Sequence, residues 1–217
     1  MPHVVEPFTN ATFSDALDRL RSAHHFLVER AKTAIAAPHA DDSRWGASVK
    51  RSPVVLRGDD RPELIGKTEE RLGEVINIAA TLERLVDAIE WFATQLEAGC
   101  SILECHPSTS DETNGNDLVI VDNAGHIVVR CEVCDVISQR AGSNGKEKKD
   151  IKNLGCSEFV PRDGVARYIC TAPEFAAALT SFKGALRSRP YRYRRTDMAT
   201  RSGTCMLLIE PAEESKV

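Results

Sequence analysis

The stretch that decides the fold is Asn116-Asp117-Leu118-Val119-Ile120-Val121-Asp122, then Asn123-Ala124-Gly125, then His126-Ile127-Val128-Val129-Arg130-Cys131-Glu132-Val133-Cys134. Two runs rich in β-branched residues flank a short connection bearing Asn and Gly, which is the pattern of a β-hairpin. Before it, Cys100-Ser101-Ile102-Leu103-Glu104-Cys105 reads as another strand, joined to the hairpin by a polar loop from Pro107 to Asn116. Further upstream, Leu64, Leu72, Val75, Ile76, Ala79, Leu82, Leu85, Val86, Ile89, Phe92 and Leu96 recur at helical spacing between Pro62 and Gly99, as one helix or two with a break. Gly99 suits the stop, because glycine readily takes the left-handed conformation just past a helix. Downstream, Lys146 to Leu154 is a basic helix ending at Gly155, residues 166–171 a strand, 173–187 a helix and Cys205 to Ile209 a last strand.

The order helix, strand, strand, strand, helix, strand predicts an α/β protein with a mixed β-sheet. Three strands form an antiparallel meander, and a fourth reaches the sheet through a helical crossover. Ahead of this core, residues 13–36 form an amphipathic helix capped by Asn10 or Thr12. Residues 37–62 are a loop punctuated by Pro38, Gly46, Pro53, Gly58 and Pro62, with Val54-Val55-Leu56 as a short strand or packing segment. The expected organisation is thus an N-terminal helical extension and loop over 1–62, and an α/β domain over 63–217. The N-terminal helices cover one sheet face, or supply a homodimer or partner-protein surface.

Whole-chain properties bound the function. The 217 residues are 42% hydrophobic and 28% charged, ordinary globular usage that excludes global disorder. No run approaches the ~20 apolar residues of a membrane span, so no membrane role is expected. Met1-Pro2-His3-Val4-Val5-Glu6 lacks the basic and apolar regions of a signal peptide. Seven cysteines set in apolar runs suit buried thiols of a reducing compartment, and the expected location is cytoplasmic. The net charge of −4 leaves any affinity for nucleic acid to local basic patches.

The residues that carry chemistry lie in the hairpin. Asp117 opens one strand, and Glu132, fifteen residues on, lies towards the end of its partner. A tight hairpin brings both carboxylates near one edge of the sheet, and the register decides whether they share a face. Two close carboxylates repel unless a divalent cation such as Mg²⁺ sits between them. Such an ion orients water and neutralises phosphate charge, which suits phosphodiester hydrolysis.

With these residues in view, the chain resembles the PD-(D/E)XK nuclease-like superfamily, which includes restriction endonucleases and Holliday-junction resolvases, over roughly residues 80 to 172. The "PD" matches Asn116-Asp117, and the "(D/E)XK" matches Glu132-Val133-Cys134. The resemblance implies a restriction endonuclease-like α-β-β-β-α-β core, and a Mg²⁺ held by Asp117, Glu132 and the Val133 carbonyl. A further acid is expected from the preceding helix, with Glu83 best placed and Glu70 second. Two departures stand out: Asn116 replaces the proline, and Cys134 replaces the lysine, whose positive charge a thiol does not supply. Some relatives carry that lysine on the next helix. Lys146, Lys148, Lys149 and Lys152 are available there, Lys148 and Lys152 share one helix face, and Lys148 is the candidate catalytic lysine.

The function so implied is a metal-dependent DNA endonuclease, or a nuclease-derived protein, of a restriction, defence or DNA-processing system. The alternatives are a catalytically inactive nuclease-like domain that binds nucleic acid or protein, and a helical interaction protein whose sheet is only a scaffold. Cys131 and Cys134 could form half a zinc knuckle, but three-residue spacing within a strand sends them to opposite faces. The basic tail Arg187-Ser188-Arg189-Pro190-Tyr191-Arg192-Tyr193-Arg194-Arg195, flanked by Lys183 and Arg201, is either a nucleic-acid contact or a solvated strand. In the first case Arg189, Arg192, Arg194 and Arg195 meet phosphates and the tyrosines stack on bases. His24, His25 and His126 have no evident partners, and Trp45 and Trp91 are expected to pack.

Overall fold

The chain begins with a corner that its own side chains close. Strand β1 (Phe8–Ala11) leads through Thr12 into helix α1 (Phe13–Ala36). Thr12 is the cap: its Oγ1 accepts the Asp15 backbone N–H at 3.1 Å and donates to Asp15 Oδ2 at 2.7 Å. This satisfies a donor that the first turn leaves without a helical partner. Ala16, Leu20, Ala23, Leu27 and Ala31 then form the buried stripe that the sequence period predicts. The structure, a computed structural model, describes residues 4–36, 49–56, 64–107, 115–134, 146–181, 189–196 and 203–212.

Strands β2 (Pro53–Val55) and β3 (Glu69–Arg71) pair as a separate two-stranded ribbon. This corrects the helical reading from Pro62 onward. Glu69 to Arg71 spend their backbone bonds on β2, and helix α2 (Leu72–Gln95) starts only afterwards, as one unbroken helix. Gly99 (φ 97°) turns the chain back into the sheet, and a Cβ there would lie 2.0 Å from Oδ1 of Asn123.

The remaining elements are β4 (Ser101–Cys105), β5 (Leu118–Val121), β6 (Ile127–Cys134), α3 (Lys146–Asn153), β7 (Ala166–Thr171), α4 (Pro173–Ser181), β8 (Tyr191–Thr196) and β9 (Cys205–Pro211). The hairpin turn between β5 and β6 is held by Asp122, whose Oδ1 accepts the N–H groups of Ala124 and His126 at 2.9 Å each. The end of α3 is closed by Gly155 (φ 72°), with Gly155 N–H on the Lys152 carbonyl and Cys156 N–H on the Ile151 carbonyl. The helix expected over 173–187 is described as far as Ser181; residues 182–188, Trp45, Lys183 and Arg201 lie outside the described residues.

The main sheet has seven strands in the order β1-β4-β5-β6-β7-β9-β8. Strands β4, β5 and β6 form the antiparallel meander, and β7 lies parallel to β6 after the crossover through α3. The other pairings are antiparallel. A mixed, mostly antiparallel sheet covered by helices is therefore the architecture.

Each face of the sheet carries its own core. Leu118, Ile120, Val129, Cys131 and Val133 pack with the buried stripes of α1 and α2. Cys134, Ile169, Leu207 and Ile209 pack on the other side with Ile151 of α3, Leu154 just past its end and Phe175 of α4. The segment assigned from sequence to an N-terminal extension joins the first of these cores. There β1 pairs with β4, with Phe8 opposite Cys105, and α1 lies against α2.

Candidate functional site

The site forms where the β5–β6 ladder runs out. Leu118 is paired with Cys131 and Val119 with Arg130, so continuing the register by one residue sets Asp117 across from Glu132. Directly opposed residues of antiparallel strands share a face. Both acids are nearly sealed, at 4% and 2% exposure, as is Asn116 at 2%. Burial of charge at this depth is costly unless hydrogen bonds or a counter-charge offset it.

The chain supplies such partners. Asp117 Oδ2 accepts the Val133 backbone N–H at 2.7 Å. Glu132 Oε1 accepts Nδ2 of Asn116 at 2.8 Å, and Asn116 Oδ1 accepts Nη1 of Arg130 at 2.8 Å. Both acids are thus held at residues 132–133 of β6, Glu132 by its own backbone and Asp117 by its bond to Val133. Their charge also reaches nearby thiols. Burial is the main cause that pushes the Cys131 thiol up, and Cys170, Asp117 and Glu132 push it further. Burial and then Asp117 do the same for Cys105. Thiols held protonated in this way are poor nucleophiles and poor metal ligands.

The same row extends into β4. Cys105 is opposite Leu118, and the His106 N–H donates to the Asp117 carbonyl at 2.9 Å, so His106 stands beside Asp117. Its Nε2 lies 3.7 Å from Glu104 Oε2, and its enclosed Nδ1 has no hydrogen-bond partner among the described residues. Neither His106 nor Arg130 is evident as a site residue in the sequence. The signal lies in the strand register: once β4, β5 and β6 are aligned, His106 falls beside Asp117 and Arg130 two residues before Glu132 on the same face of β6.

The other expected site residues lie apart. Glu83 is exposed on α2, which packs on the face opposite to Glu132. Glu70 is engaged by Lys67 at 2.7 Å and by the Arg71 N–H at 2.8 Å. Among the described residues, no three His, Cys, Asp or Glu side chains gather into a group able to hold a metal ion. Lys148 belongs to α3, but its side chain lies outside the described residues, as does that of Lys146. Lys149 and Lys152 are exposed on α3. Cys134 is fully buried in the core under α3, while Cys131 belongs to the opposite core, so the two cannot converge on one zinc ion.

The basic tail is a strand at the sheet edge. Its alternation turns Tyr191 and Tyr193 towards the core, and Tyr193 donates to Glu147 Oε1 at 2.9 Å. Of the two readings of this tail, the strand is the one present here. Arg189 is bonded to Glu147 at 2.7 Å, while Arg192 and Arg194 both reach Glu210, at 3.2 Å and 2.7 Å. Arg195 is exposed and makes no ion pair among the described residues. Trp91 packs edge-on against Phe92 and Tyr168.

No family model, curated protein or solved structure matches this chain. All seven cysteines are free thiols. No described helix is long and apolar enough to cross a membrane.

Proposed function

We propose that this protein is a divalent-metal-dependent phosphodiesterase acting on DNA, built on a restriction endonuclease-like core of the PD-(D/E)XK type. The segment α2–β4–β5–β6–α3–β7 supports that reading, with its antiparallel meander and its parallel strand reached through a helix. The observation that carries it is the burial of two carboxylates, Asp117 and Glu132, where the β5–β6 ladder ends, with Asp117 bonded to the N–H of Val133 beside Glu132. A restriction, defence or DNA-processing role in the cytoplasm is the setting that the family analogy suggests, and the free thiols fit a reducing compartment.

The donor set suits Mg²⁺. This ion takes one or two carboxylates and keeps most of its ligands as water, so it needs no cage of three protein side chains. Asp117 and Glu132 would hold it. The ion would polarise the phosphate and make a bound water more acidic. The chain's own part is positioning: the Val133 N–H fixes the Asp117 carboxylate, and Asn116 fixes that of Glu132. Exposed Arg192, Arg194 and Arg195 add phosphate contacts along the β8 edge, and a lysine of α3, with Lys148 the candidate, adds charge at the site.

The test is cleavage of supercoiled plasmid and of branched DNA in Mg²⁺ or Mn²⁺. Asp117→Ala and Glu132→Ala should each slow it by at least ~10²-fold. Absence of cleavage by the natural chain would refute the proposal.

One observation favours a second reading. Cys134, at the position of the motif lysine, is fully buried in the core under α3 and brings no positive charge to the face it shares with Glu132. In that case the chain is an inactive nuclease-like subunit. It would bind DNA or a partner protein, and the binding would survive both substitutions.

A further inference from the structure

Side chains alternate along a strand, so Glu132 shares its face of β6 with Arg130 two residues before and Cys134 two residues after. Cys134 is enclosed and uncharged. Arg130 is half-buried and brings a guanidinium to this face. Nη1 of Arg130 is bonded to Oδ1 of Asn116, which is bonded in turn to Glu132, both at 2.8 Å. The other N–H groups of Arg130 make no hydrogen bond with the described residues. The two departures from the nuclease motif thus fall together: the asparagine in place of proline holds an arginine, and the cysteine in place of lysine leaves a charge to be supplied.

We propose that Arg130 is the phosphate-contacting cation of this site, approaching from one side of Glu132 as a lysine at position 134 would from the other. The assignment rests on the nuclease reading above. It also gives the site a preference for a phosphate with two free oxygens, because a planar guanidinium can donate to both at once. Asn116 is then a positioning residue, which orients the arginine without touching DNA.

The experiment compares the natural chain with Arg130→Ala, Arg130→Gln and Arg130→Lys. It reads plasmid cleavage in Mg²⁺, Mn²⁺ affinity by calorimetry, and thermal unfolding. Glutamine can keep the hydrogen bond to Asn116 but not the charge. The expected result is a loss of at least ~10²-fold in cleavage for both Ala and Gln. Lysine should restore about a tenth of the natural rate or more, as expected for a point charge without the fork, and Mn²⁺ affinity should stay near natural in every variant. Cleavage by Arg130→Gln at the natural rate would overturn the proposal and leave Arg130 a structural role, as would unfolding of both Ala and Gln variants. A natural chain that cleaves nothing would instead refute the nuclease reading, and this assignment with it.

Discussion

Two charged regions of the sheet show opposite solutions to the same problem. At the end of the β5–β6 ladder, Asn116, Asp117 and Glu132 are buried, and hydrogen bonds tie Asn116 to Arg130 and Glu132, and Asp117 to Val133. On the β8 edge, Arg192 and Arg194 are more than half exposed and share one carboxylate, Glu210. The edge carries far more charge per residue, yet water screens it and asks little of the fold. The ladder end carries less charge but takes it out of water, which a fold tolerates only with hydrogen bonds or a counter-ion. Density of charge in the sequence is thus a weaker pointer to chemistry than burial of charge in the structure.

The contrast can be tested through stability. Arg167 is another buried charge, with Nε on the Leu154 carbonyl at 2.9 Å and a two-pronged bond to Asp163 at 2.9 Å and 2.7 Å. Arg167→Ala should lower unfolding free energy by about 2 kcal/mol in urea titrations, because it leaves the buried Leu154 carbonyl without its partner while Asp163 keeps access to water. The same pair gives a pH signature. Hydrogen bonding from Arg167 holds the Asp163 carboxyl well below the usual carboxylate range. A depressed folded-state pKa contributes stability that is present above the unfolded value of ~3.9 and lost as pH falls below it. The stability gap between the natural chain and Arg167→Ala should therefore narrow on going from pH 6 to pH 2. A gap independent of pH would show that the arginine acts through packing alone. The double change Arg192→Ala with Arg194→Ala should cost under ~1 kcal/mol, as exposed ion pairs do. A cost as large as that of Arg167→Ala would erase the distinction between the two regions.

Much of the fold was legible because it rests on local patterning. The hairpin follows from β-branched runs around Asn123-Ala124-Gly125, and α1 follows from its apolar stripe and from Thr12. Strand β3 was not legible: Glu69-Glu70-Arg71 has no strand character, and it is extended only because Pro53 to Val55 lies beside it. The acid pair could be named from the sequence, but not the sharing of one row, since the register shifts between Ile120 and Val121 at an irregularity the sequence pattern does not announce. Arg130 and His106 were hidden for the same reason. The role of Tyr191 and Tyr193 stayed open because Arg-Tyr alternation describes a half-buried edge strand as well as it describes a nucleic-acid contact.

In the proposed function Asp117 and Glu132 jointly hold one divalent cation. Calorimetric titration of the chain with Mn²⁺, beside Asp117→Asn and Glu132→Gln of matched thermal stability, tests it without any need for a substrate. The account predicts one ion per natural chain and loss of that binding in both variants. Binding that is absent from the natural chain, or unchanged in both variants, would contradict it.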